Sequence, residues 1–120
     1  MDFATLNAEL RELVAEFGNR PYNFFTILGQ PGEPDLDLRI HNERWEFIKS
    51  ETWHCLDLSQ YLLWSGSDNG DLLWWNGEQT IAMDHRSATF ISEPVGPRQF
   101  IRLVGLDKVG RIFPDSLISN

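Results

Sequence analysis

Leu6, Leu10, Leu13, Val14 and Phe17 fall at i, i+4, i+7, i+8 and i+11, one face of a 3.6-residue period. Glu9, Arg11 and Glu12 lie off that stripe. Gly18 follows the last apolar position and suits a left-handed C-terminal cap, and Pro21 forbids a simple continuation. The pattern predicts a helix from about Thr5 to Phe17. Tyr22 to Leu28 is too short to assign by period, but its aromatic and β-branched content favours a strand. Gly29-Gln30-Pro31-Gly32-Glu33-Pro34 has the chemistry of a loop. Asp35 to Ile40 alternates polar and apolar, which predicts a half-buried strand with Leu36, Leu38 and Ile40 inward. Trp45, Phe47 and Ile48 fit a strand or a short helix equally well. Apolar density is high from Trp53 to Trp64, and Ser65 to Asp71 reads as a polar, glycine-bearing connection.

Asn76-Gly77 separates Leu72-Leu73-Trp74-Trp75 from Glu78 to Met83. Asn-Gly tolerates positive φ at both positions of a two-residue type I′ turn. That turn sets Trp75 opposite Glu78, Trp74 opposite Gln79, Leu73 opposite Thr80 and Leu72 opposite Ile81. One face of the hairpin then carries Leu72, Trp74, Ile81 and Met83, and the other Leu73, Trp75, Glu78, Thr80 and Ala82. The first is more apolar and is assigned to the core. A third strand is expected at Ala88 to Ser92, after a polar turn at Asp84 to Ser87. Pro97, Phe100, Ile101 and Val104 fall at i, i+3, i+4 and i+7, a helix that starts on Pro97 and stops at Gly105. In the tail, Lys108 to Asn120, the pair Ile112-Phe113 can dock. The order predicts one α+β domain, residues 1–120, with a mainly antiparallel sheet.

Composition adds a partner preference. The 120 residues carry 18 acidic and 10 basic side chains, a net charge of −8. That charge repels phosphate backbones and anionic membranes and favours a basic partner. Cys55 is the single cysteine, so no intramolecular disulfide framework exists. The first residues carry neither a basic nor an apolar leader segment, and no apolar run spans a bilayer, so a cytoplasmic location is expected.

No chemistry-bearing motif stands out. His41, His54, His85 and Cys55 have no spacing used by zinc modules, and no metal or other cofactor is expected. The run from Ser65 places Gly70 at position six of a calcium loop but Asn76 at position twelve, where a glutamate is needed. Cys55 beside His54 suggests a thiolate–imidazole pair, but adjacent residues on a strand diverge. Gly29-Gln30-Pro31-Gly32 lacks the Lys-Ser/Thr of a phosphate loop. Asp35 and Asp37 are better explained as a solvated strand face than as an acid–base pair. Five tryptophans (45, 53, 64, 74 and 75) accompany eight arginines and two lysines. Trp and Arg are enriched at the energetic centres of protein interfaces, although most of these indoles are expected in the core.

From Gln60 to Val104 the chain resembles the C-terminal half of the SUKH superfamily. The resemblance is carried by Tyr61-Leu62-Leu63-Trp64, the Ser65 to Asn69 loop, Gly70-Asp71-Leu72-Leu73-Trp74-Trp75, Asn76-Gly77, Thr80-Ile81-Ala82-Met83, Phe90-Ile91 and the Pro97 to Val104 helix. It implies a small α+β protein without enzymatic activity, of the bacterial immunity type, that binds and neutralises a cognate secreted toxin, often a nuclease. The acidic charge agrees with a partner built to bind nucleic acid. A carbohydrate or small-ligand module using exposed tryptophans is the alternative. The expected binding residues are Trp75, Glu78, Asp71 and Thr80, with Trp75 partly exposed on a sheet face free of helices and Trp74 buried. Oligomeric state is not legible in these residues.

Overall fold

The computed structural model describes residues 2–50, 57–68, 70–84 and 89–105. Helix α1 (Phe3–Phe17) begins where Asp2 accepts a hydrogen bond from the Thr5 N–H at 2.8 Å. Its stripe buries Leu6, Leu10 and Leu13, and Gly18 ends it at φ 77°, donating its N–H to the Val14 carbonyl. A 3-10 turn at Pro21–Asn23 leads into strand β1 (Phe25–Ile27). The expected Tyr22 to Leu28 strand is therefore shorter than its aromatic run.

The strand expected at Asp35 to Ile40 is absent. Helix α2 (Leu38–Arg44) takes its place, followed by α3 (Glu46–Ser50). Asp37 is the N-cap, accepting from the Ile40 N–H at 3.0 Å and the Gly32 N–H at 3.3 Å. Leu38 and Asn42, one helical turn apart, are buried, while Ile40 is 39% exposed. A period-2 reading over six residues was beaten by a cap and a half-polar buried stripe.

Strands β2 (Leu62–Ser67), β3 (Asp71–Trp75), β4 (Thr80–Asp84) and β5 (Thr89–Glu93) complete a five-stranded antiparallel meander in the order β1-β2-β3-β4-β5. Helix α4 (Pro97–Gly105) follows, with both ends where the sequence puts them. The architecture is α+β. The polar turn before β5, Trp53 to Leu56 and the Ile112-Phe113 pair lie outside the described residues. Among the described residues no helix is long and apolar enough to cross a membrane.

The hairpin register differs from expectation. Trp75 pairs with Thr80, Trp74 with Ile81, Leu73 with Ala82 and Leu72 with Met83. The connection is four residues, not two. Asn76 Oδ1 accepts from the N–H groups of both Glu78 and Gln79 at 2.9 Å, so its side chain closes the turn together with a longer backbone bond from the Asn76 N–H to the Gln79 carbonyl, 3.4 Å. Gly77 alone takes a positive φ, 99°, which excludes type I′. A shift of two residues keeps every strand side chain on its expected face, because the side-chain period is two.

Both faces of the sheet are covered. α1 and α4 pack together over the Trp75 face, where Phe100 meets Trp64 edge-on at 6.3 Å. On the Trp74 face the Lys49 ammonium lies 5.8 Å from the indole centroid. All five residues of β3 are buried. The expectation of a helix-free face carrying Trp75 is thus overturned: Trp75 is 7% exposed, on the side that α4 covers, while Trp74 is fully buried as expected.

Candidate functional site

The four expected binding residues do not form one exposed patch. Thr80 is buried opposite Trp75 and its hydroxyl donates to the Val95 carbonyl at 2.8 Å. Asp71 is buried at the far end of β3, where it accepts from the Ser67 hydroxyl at 2.6 Å. Its carboxylate ties the β2–β3 connection together and is 2% exposed, too covered to steer a partner. Glu78 is exposed, but in the turn and out of the ladder. Trp75 lines a surface depression.

That depression is a groove of about 320 Å³ between the two helices. Trp75 and Leu13 give it apolar wall, and Glu9, Glu12 and Arg98 give it charge. Gly96 lets the chain entering α4 close on the indole: a Cβ there would stand 3.3 Å from Trp75 Cζ2. The Trp75 indole N–H is buried and has no hydrogen-bond acceptor. The indole N–H groups of Trp64 and Trp74, in the core, are buried without an acceptor in the same way.

The charges follow from helix spacing. Glu9, Glu12 and Glu16 project from α1 at i, i+3 and i+7, and Arg98 and Arg102 from α4 at i and i+4. Glu16 takes both arginines, Arg98 Nε at 3.1 Å and an Arg102 terminal nitrogen at 2.9 Å. Glu12 keeps one long contact to Arg98 at 3.9 Å. Glu9 has no ion-pair partner among the described residues. Glu9 is exposed, yet the partial desolvation of its carboxyl on the groove edge pushes its pKa up, repulsion from Glu12 pushes further, and Arg98 only partly offsets them.

A second depression, of about 290 Å³, lies beside Thr26, Leu36, His41, Leu63 and Gly66. Two of its polar side chains are already engaged. His41 Nε2 is 2.8 Å from the Asp35 carbonyl, and the Thr26 hydroxyl oxygen accepts from Arg20. Among the described residues no group of three or more His, Cys, Asp or Glu side chains is placed to hold a metal ion. His54, His85 and Cys55 lie outside them.

The sequence carried part of the signal for the groove. The adjacent pair Trp74-Trp75 had to split between faces, and Glu9 and Glu12 stood off the apolar stripe of α1. The pairing of α1 with α4, 86 residues apart at Glu16 and Arg102, has no local signature. Comparison with protein families, with curated proteins and with solved structures finds no match to this chain.

Proposed function

We propose that this chain is a non-enzymatic, immunity-type binding protein that neutralises a basic protein toxin by occluding it. The observation that carries this reading is the groove beside Trp75, edged by two carboxylates that the protein's own arginines leave under-neutralised. A net charge of −8 supports it, since an acidic protein steers a cationic partner and repels that partner's nucleic-acid substrate. The SUKH-like order of residues 60–104 supports it as a resemblance. A cytoplasmic location, where such a protein would guard its own cell, belongs to the same proposal.

The carbohydrate reading needs an indole face open to solvent. Trp64, Trp74 and Trp75 are buried, and Trp45 is half-buried and stacked on Phe47 at 5.6 Å. Nothing in the described structure favours it. The test is to identify the gene directly upstream and, where it encodes a toxin, to co-express that toxin with this chain. Growth rescued by the wild-type chain supports the proposal; toxicity unchanged by it removes the proposal.

A further inference from the structure

Among the described residues, the row of charges between α1 and α4 is one cation short. Three carboxylates, Glu9, Glu12 and Glu16, face two arginines, Arg98 and Arg102, and both arginines gather at the Glu16 end. The deficit therefore falls at Glu9 and Glu12, the end that opens into the groove. The cation row cannot be extended from within the helix. One turn before Arg98 is position 94, a proline, and α4 begins only at Pro97. We propose that the missing cation is supplied by the partner, as a single arginine side chain seated between Glu9 and Glu12 with its stem against Trp75. The inference rests on the reading of this chain as a binder of a basic protein, and it names the group that the groove takes.

A guanidinium suits the place better than an ammonium. Carboxylates at i and i+3 stand roughly 5–6 Å apart at their Cβ atoms, a span that a planar fork bridges with separate N–H groups. A guanidinium is also more weakly hydrated and stacks on an indole. The wall it would meet is the indole of Trp75 beside Leu13, both of which line the groove. Glu9 adds a reason for occupancy: its carboxylate is disfavoured by partial desolvation and by Glu12, and a cation there relieves both.

The test uses the full chain, labelled with nitrogen-15, and the blocked tripeptide acetyl-Gly-Arg-Gly-amide. The Trp75 indole N–H resonance, assigned with Trp75→Phe, is followed during titration. The expected result is a saturable shift with a millimolar dissociation constant. The corresponding lysine peptide should bind about tenfold more weakly, a difference near 1.4 kcal/mol. The peptide with neutral citrulline in place of arginine should give no saturation. Glu9→Gln with Glu12→Gln, isosteric and on the surface, should melt as a folded protein and abolish the arginine response. A response without saturation overturns the inference. So does equal binding of lysine or citrulline, or an unchanged response in the double variant. The two proposals separate cleanly. If the double variant still rescues growth fully, the groove is not the anchor while the immunity reading stands; if the peptide binds but the wild-type chain never rescues, the reverse holds.

Discussion

Asn42 shows how one side chain positions an element. It is buried on α2, and its carboxamide faces Leu63 on β2. The amide nitrogen donates to the Leu63 carbonyl at 2.9 Å, and the amide oxygen accepts from the Leu63 N–H at 2.8 Å. The last backbone bond from the β1 side reaches the Trp64 carbonyl, from the Leu28 N–H at 3.0 Å, so Asn42 continues the ladder at Leu63, where the neighbouring strand has ended. The same amide also donates to the Leu38 carbonyl in its own helix. Asn42→Leu, similar in size, would leave a buried N–H and a buried carbonyl unpaired. At about 1–3 kcal/mol for each of the two stranded groups, the variant should lose roughly 2–6 kcal/mol. Urea unfolding monitored by tryptophan fluorescence measures it; a loss under about 1 kcal/mol would mean that water or a backbone shift replaces the amide. Nothing in the sequence marked Asn42, because a polar residue in a short buried stripe looks like a break in the pattern. For the same reason Asp35 to Ile40 reads as a strand: its odd positions are polar, and the cap at Asp37 is one of them.

At the scale of elements, the long periodic helices were legible and the register was not. α1 and α4 follow directly from their apolar spacing, since an amphipathic stripe has one way to be buried. The turn between β3 and β4 was placed correctly and typed wrongly. Its dipeptide suggested a type I′ backbone turn, whereas the loop is held by a long backbone bond from the Asn76 N–H to the Gln79 carbonyl, 3.4 Å, and by the Asn76 side chain, which holds two N–H groups. The strand faces survived the error because it amounted to two residues. Exposure did not. Leu72-Leu73-Trp74-Trp75 is an unbroken apolar run, the mark of a strand covered on both sides, and this outweighs alternation on its partner strand. Gly77 still requires its residue type, at φ 99°. Gly77→Val should cost roughly 1–3 kcal/mol through a β-branched side chain in a left-handed backbone. Differential scanning calorimetry of the two proteins tests this. An unchanged melting temperature would place that φ elsewhere.

The whole molecule sets its charge excess against its own stability, and Glu9 is where the two meet. Its pKa is raised in the fold, first by partial desolvation and then by Glu12. A carboxyl whose folded pKa lies above its unfolded one favours the neutral form in the fold. Its ionised form therefore carries a penalty at every pH above the folded pKa, and the penalty has vanished below the unfolded pKa. Asp2 and Asp37 behave oppositely. Each accepts a backbone hydrogen bond at a helix start that holds its pKa down, so their contribution is present at neutral pH and is lost as acid protonates them. Glu9→Gln should thus be at least as stable as wild type at pH 7, with a gain below about 1 kcal/mol, as befits a solvent-screened surface charge. The difference should shrink to zero as pH falls below about 4, where the carboxyl is protonated even in the unfolded chain. Both proteins should still lose stability with further acidification, since the caps at Asp2 and Asp37 remain. Urea denaturation of the pair at neutral and at acid pH gives the difference directly. A variant less stable than wild type at pH 7 would mean that Glu9 is held by a cation within the chain, and the groove would then have no unmatched charge to offer. A gain at neutral pH that an arginine peptide then cancels by stabilising only the wild type would tie the stability deficit to the binding site, because ligand bound to the native state alone raises its stability by mass action.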